Sequence, residues 1–402
     1  MSGARNNQRK PLASIENILG SRIFSGNSFT PKESSSKQAA KMVEENKDNS
    51  ENNKLLPVDP STVKIIKQIR TSPKSQAQSN NKAYEPKTEP KYDQENLMEV
   101  SQKDNKVWFA KSSPNDIVAC CEVVGQELLR LLNPQQTFKT RFFLNGEKLG
   151  VISEKKTDFK PLEQSAKKQY IPGLATSVLL ALFLNETDLK LQHLDANNGV
   201  KIDGDYMLSQ IHQKSFQKNS EISTEELQRL PYVAKYNANQ WLDQITGGRY
   251  QVKKNLMFDW LTADPNFQNE LSQAIMRVLV IPPSIYRQFV LSYVTHDTWA
   301  EQMISLILAR REQLFKAAMD LPSFRHFISD NAAVKKSTEE SLELIKNFVT
   351  TKKKHLIDDD QYSHLKPEIK MRVSELLNFS RKKTDSEHKS PEPLKSPKTK
   401  GY

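Results

Sequence analysis

Apolar positions are unevenly spread along this chain, and their spacing changes character several times. Up to about residue 95 the sequence is rich in Ser, Asn, Gln, Lys and Pro and almost free of aromatics. Such a stretch buries too little apolar surface to offset the entropy of ordering, which predicts disorder. Val63, Ile65, Ile66 and Ile69 are the exception, spaced for an amphipathic turn or two. From Lys106 to Lys111 the run KVWFAK reads as a short strand. Ser112-Ser113-Pro114-Asn115-Asp116 then supplies helix-start residues, with proline expected early in the first turn. Ile117, Cys121, Val124, Leu128 and Leu131 share one helical face, and Asn133-Pro134 stops that helix. Two strand-like runs follow, Thr137–Leu144 and Leu149–Ser153, joined by the hairpin signal Asn145-Gly146-Glu147-Lys148.

A polar connector, Glu154–Gln169, leads to the apolar helix Ile171–Leu184. Asn198-Gly199 turns into a short expected strand, Val200–Ile202. Beyond Ser223 the spacing is helical at 223–230, 237–245, 266–280, 284–294, 297–317 and 337–352. Pro231, Pro282-Pro283 and Pro322 punctuate these runs. The pattern predicts an α+β protein, with a small strand-rich part over 96–160 and a larger helical part over 161–330. A helical extension is expected over 331–380 and a basic disordered tail over 381–402.

Composition sharpens this picture. The chain has 402 residues, of which 37% are hydrophobic, fewer than a fully packed protein carries. The net charge of +11 is concentrated towards the two ends. That distribution argues against a groove built for duplex DNA, and no nucleic-acid partner is expected. Cys120 and Cys121 are adjacent, so they offer neither a disulfide framework nor a CxxC metal pair. The opening MSGARNNQRK lacks the apolar core of a secretory signal peptide. Ile171 to Leu184 is too short to span a bilayer and reads as a buried helix.

Three features carry candidate chemistry. Lys111 closes a strand and is followed by a helix bearing Glu122 and Glu127. A lysine on a strand paired with a helical glutamate can aim its ammonium at nucleotide phosphates, although a lone strand-end lysine is usually a solvated surface residue. Thr187-Asp188-Leu189-Lys190-Leu191-Gln192-His193 follows the buried helix and contains the Asp-Leu-Lys core of a kinase catalytic loop. Lys201-Ile202-Asp203-Gly204-Asp205 places carboxylates at a strand end, where a hard divalent cation could be held.

The order of these parts resembles the atypical kinases related to HipA and the phosphoinositide kinases, and most of all the kinase effectors secreted by Legionella. The carrying segments are VWFAK (107–111), EVVGQELLRLL (122–132), FFLNGEKLGVISEK (142–155), ALFLNETDLKLQHL (181–194) and GVKIDGDY (199–206). The resemblance implies a two-lobed protein-kinase-like fold that transfers the γ-phosphoryl group of ATP to a hydroxyl, with Mn²⁺ or Mg²⁺. It makes Lys111 the phosphate-orienting lysine, with Glu122 its partner and Glu127 the alternative. Glu154 and Lys155 fall in the hinge near the adenine, Asp188 becomes the catalytic-loop base, and Asp203 a metal ligand with Asp205 a second.

The sequence departs from that pattern in three places. No glycine-rich loop precedes Lys111, DGD stands for DFG, and His193 occupies the position of a metal-binding Asn, with Gln192, Asn197 or Asn198 as alternative ligands. An imidazole ligand implies a preference for Mn²⁺ over Mg²⁺ and activity that falls below roughly pH 6.5. The resemblance further implies a protein substrate in a host cell, reached by non-classical secretion, with attachment to host membranes an option. A catalytically weak pseudokinase acting as an adaptor is the alternative.

Two other patterns bear on partners. Trp241, Trp260 and Trp299 lie among apolar residues and read as core anchors. Lys253-Lys254, Arg310-Arg311, Lys335-Lys336, Lys352-Lys353-Lys354 and Arg381-Lys382-Lys383 are basic clusters that could meet an inositol polyphosphate or a phosphoinositide headgroup.

Overall fold

The fold joins an antiparallel sheet to a mainly helical body. The computed structural model describes residues 64–69, 97–101, 106–145, 148–162, 169–212, 221–231, 256–351 and 359–387. The expected helix at 237–245, Trp241, Lys253-Lys254, Lys352-Lys353-Lys354, the hairpin tip Gly146-Glu147 and everything beyond 387 lie outside these residues. So does most of the amino-terminal segment.

Five strands are described: β1 (Lys64–Ile69), β2 (Leu97–Ser101), β3 (Val107–Ser112), β4 (Thr140–Asn145) and β5 (Lys148–Glu154). They pair antiparallel in the order β1-β2-β3-β5-β4. β1 corrects the expectation of a helical turn there, because its isoleucine-rich run suits an extended chain that can pair with β2. Register places Lys111, Val151 and Phe142 in one cross-strand row. Phe142 and Val151 join the main core, whereas Trp108, Ala110, Phe143 and Ile152 form a separate cluster. Strand alternation thus sends Lys111 towards the same side as the helix packed on the sheet.

That helix, α1, spans Asp116–Leu132. Asn115 is its N-cap, accepting a hydrogen bond from Val118 N at 3.0 Å, so Pro114 lies before the helix and not in its first turn. α2 (Leu174–Phe183) is buried on all sides, as a uniformly apolar helix must be. It starts three residues later than the apolar run, because Gly173 turns the chain with φ of 86°. A Cβ there would stand 2.3 Å from Asn198 O. Glu270 satisfies the start of α2 by accepting from Gly173 N at 3.0 Å and Thr176 N at 2.7 Å.

The expected strand at Val200–Ile202 is reduced to a bridge between Leu194 and Lys201. The tight loop between them leaves room for only a few rungs, among them Asp195 N to Val200 O at 2.9 Å and Ile202 N to His193 O at 2.8 Å. Downstream come α3 (Pro265–Val280), α4 (Pro283–Tyr293), α5 (Asp297–Met319), α6 (Pro322–Ser329), α7 (Asn331–Thr351) and α8 (Asp359–Glu387). α6 was not expected: Pro322 opens this helix at a position where its missing N–H costs nothing. α8 also runs on into the stretch read as a tail.

Arg310-Arg311 is not a surface cluster. Arg310 is 1% exposed and donates to Phe183 O at 2.7 Å and to Leu182 O, closing the carboxyl end of α2. Arg311 donates to Leu279 O at the end of α3. Trp260 and Trp299 are half-buried against the core, and Trp299 stacks on His296. Among the described residues no single helix is long and apolar enough to cross a membrane.

Candidate functional site

Three separated stretches, with a fourth behind one of them, meet at the ammonium of Lys111. Its Nζ lies 2.9 Å from Glu122 Oε1, 3.0 Å from Asp203 Oδ1 and 4.0 Å from Asp205 Oδ2. His193 Nε2 is 3.7 Å from the other oxygen of Asp203. Two glycines let α1 approach the turn that carries the aspartates. A Cβ on Gly125 would stand 2.8 Å from Met207 Cβ, and one on Gly204 would stand 2.6 Å from Gln126 Nε2. Two further hydrogen bonds tie this turn to the loop carrying Asp188: Thr187 N to Tyr206 O at 3.4 Å and Leu208 N to Leu184 O at 2.7 Å.

The electrostatics follow from this crowding. Burial works against the charge on Lys111, but Asp203, Glu122 and Asp205 outweigh it and hold its pKa well above the usual lysine range. Burial raises the Asp203 pKa, yet Lys111 and then His193 pull it below the usual carboxylate range. Asp205 goes the other way: burial, helped by Asp203 and Glu122, pushes it up to about 8 against the pull of Lys111. Asp188 is raised by burial, opposed by Lys190, whose Nζ lies 2.7 Å from its Oδ2. His193 is pushed down to about 4 by burial, so the imidazole stays neutral well below the pH 6.5 expected from an ordinary histidine. That expectation is corrected.

The two glutamates on α1 have different occupations. Glu122 meets Lys111, whereas Glu127 is fully buried and faces the core. Its carboxylate accepts from Arg130 at 3.2 and 2.7 Å, Thr140 N at 2.7 Å and Tyr293 Oη at 2.8 Å, and pairs with Arg141 at 2.9 Å. Glu127 is a structural hub joining α1, β4 and α4.

Glu154 and Lys155 do not join the cluster. Glu154 faces Trp108 across the sheet, three rungs along from Lys111, or about 10 Å at the usual strand rise. Its carboxylate pairs with Lys106, and its amide donates to Lys139 O at 2.8 Å. Lys155 donates its amide to Val107 O at 2.8 Å and lays its ammonium over the Phe109 ring. Neither amide is spare to read an adenine edge.

Of the alternatives to His193, Asn197 donates to Asp158 O at 3.2 Å, and Asn198 Oδ1 stands 3.5 Å from Val200 N. Both are engaged in their own loop. Gln192 is exposed. His193 is therefore the member of that set seen beside Asp203.

Asp203 and Asp205 present carboxylates from one turn, with side chains 36% and 31% open. His193 Nδ1 is buried without a hydrogen-bond partner. Among the described residues, however, no three His, Cys, Asp or Glu side chains are gathered to hold a metal. Mg²⁺ sites that borrow phosphate oxygens need only one or two protein carboxylates.

Glu186 and Lys201, a buried pair beside Asp188 and Asp203, were not singled out in the sequence, although both stand inside the quoted segments. The sequence carries little signal for them: Lys201 sits at the polar place of an alternating Val200-Lys201-Ile202 run, and Glu186 stands three residues after the end of a buried helix. No protein-family model matches the chain, and no curated protein matches its sequence.

Proposed function

We propose that this protein is an ATP-dependent phosphotransferase of the atypical-kinase type, with the sheet and α1 as a small lobe over the helical body. The observation that supports this most is the convergence on Lys111 of Glu122, Asp203 and Asp205, drawn from up to 94 positions away in the chain, with His193 behind Asp203. In this reading Glu122 orients Lys111 towards phosphate oxygens. Asp188, its pKa raised by burial, accepts the proton of the attacking hydroxyl. That oxygen forms a bond to the γ-phosphorus as the bond to the departing ADP oxygen breaks. Asp203, Asp205 and His193 would hold the divalent cation, which when bound neutralises phosphate charge. A protein hydroxyl is the favoured acceptor.

One observation favours the adaptor reading: Lys111 is already saturated by carboxylates. Radiolabelled ATP with Mg²⁺ or Mn²⁺, offered to a mixed lysate and to lipid vesicles, separates the two. Metal-dependent labelling supports transfer. No labelling, together with no nucleotide-induced thermal shift, supports the adaptor.

A further inference from the structure

Lys201 is one of the largest fully buried side chains in the described structure, and Glu186 beside it is buried as well. The Lys201 ammonium lies 3.1 Å from Glu186 Oε2 and donates to Ile202 O at 3.2 Å and to Asp203 O. The other oxygen of Glu186 accepts from Asp188 N at 3.1 Å. Gln136 fixes the lysine from outside, accepting from Lys201 N at 3.2 Å and donating to Lys201 O at 2.8 Å.

Stability alone does not account for such a pair. Taking two charges out of water costs several kcal/mol per ion, and apolar residues of similar volume often serve as well or better. What apolar residues could not do is join two backbones. The contacts run from the carbonyl of Asp203, through Lys201 and Glu186, to the amide of Asp188. Asp203 also holds φ at 59°, a left-handed conformation that surrounding contacts must maintain.

We infer that Lys201 and Glu186 are positioning residues that lock the loop of Asp188 and the turn of Asp203 into one register. The functional consequence rests on the phosphotransferase reading; the mechanical coupling does not. Neither side chain contacts the reacting groups. They act through the residues they hold, as partners behind metal ligands generally do.

The test compares full-length wild type with Lys201→Met and with Lys201→Met/Glu186→Gln. The double variant removes both charges, keeps an acceptor for Asp188 N, and covers the case in which the single variant does not fold. Amide hydrogen exchange is measured without nucleotide, and phosphoryl transfer is measured against Mn²⁺ concentration. Lys201→Met should speed exchange about tenfold in peptides covering 186–190 as well as 201–205. The double variant should remain folded, with half-saturating Mn²⁺ raised about 10–100-fold. At saturating metal its KM for ATP should change less than about threefold. Faster exchange confined to 201–205, or wild-type metal dependence in a folded double variant, overturns the inference. Absence of transfer in the wild type would instead overturn the phosphotransferase reading, while the exchange data still decide the coupling.

Discussion

Glu122 and Glu127 lie on one helix, and substituting each with glutamine should produce opposite phenotypes. Glu127→Gln keeps the volume but turns one acceptor oxygen into a donor, facing the guanidinium groups of Arg130 and Arg141, the Thr140 amide and the Tyr293 hydroxyl. Breaking a buried ion pair from one side costs about 3–5 kcal/mol. At about 2–4 °C per kcal/mol, the melting temperature should fall by roughly 10 °C. Phosphoryl transfer measured well below that melt should persist. Glu122→Gln leaves Lys111 paired with Asp203 at 3.0 Å, and the lysine side chain is 29% open to water. Glu122 is itself buried and burial disfavours its charge, so a neutral amide of the same shape regains desolvation and the stability loss stays at about 1–3 kcal/mol. Transfer should nonetheless fall about 100-fold, because the ammonium loses the partner that orients it. Thermal unfolding followed by circular dichroism, paired with the radiolabel assay, reads both effects. An unchanged melt in Glu127→Gln would refute the hub, and undiminished transfer in folded Glu122→Gln would refute the orienting role.

Three other substitutions probe the neighbouring parts. Asp203→Asn, which tolerates the positive φ, should lower transfer at least about 100-fold while leaving the thermal melt within about 3 °C; near-wild-type transfer would remove Asp203 from the metal site. Gly125→Ala should cost about 1–3 kcal/mol in denaturant unfolding, since the new methyl would stand 2.8 Å from Met207 Cβ, and an unchanged midpoint would show that the 203–207 turn yields easily. His193→Asn should narrow the ratio of Mn²⁺-supported to Mg²⁺-supported transfer, because imidazole suits transition metals better than Mg²⁺; a ratio equal to wild type would place the nitrogen outside the metal's reach.

What could be read in advance was whatever depends on local periodicity. α1, the β4–β5 hairpin and the buried α2 each follow from the spacing of apolar residues and from Asn or Pro at their ends. Lys111, Asp188, Asp203 and Asp205 were legible as a set because their chain order, not any one of them, carries the resemblance. The choice of Glu122 over Glu127 came from the resemblance and not from the spacing of the helix. Both lie on α1, and only the partners brought by β4 and α4 separate them. The basic character of Arg310-Arg311 misled for a related reason: the sequence shows two cations but not the helix ends that need donors. His193 shows the same limit, since burial lowers its pKa and depends on residues distant in the chain.

The ends of α2 are completed by residues far downstream, Glu270 at its start and Arg310 at its finish. Asn185, at the exit of α2, leads straight into Glu186 and Asp188, so Arg310 of α5 holds the last turn before that loop. A genetic screen for inactive alleles would therefore recover lesions near residue 310 that mimic active-site lesions, more than a hundred positions from the chemistry. A fragment trimmed near residue 250 would contain every residue of the site and yet fail as a unit. On the phosphotransferase reading, the hereditary unit of function in this chain is longer than the stretch that would carry its chemistry.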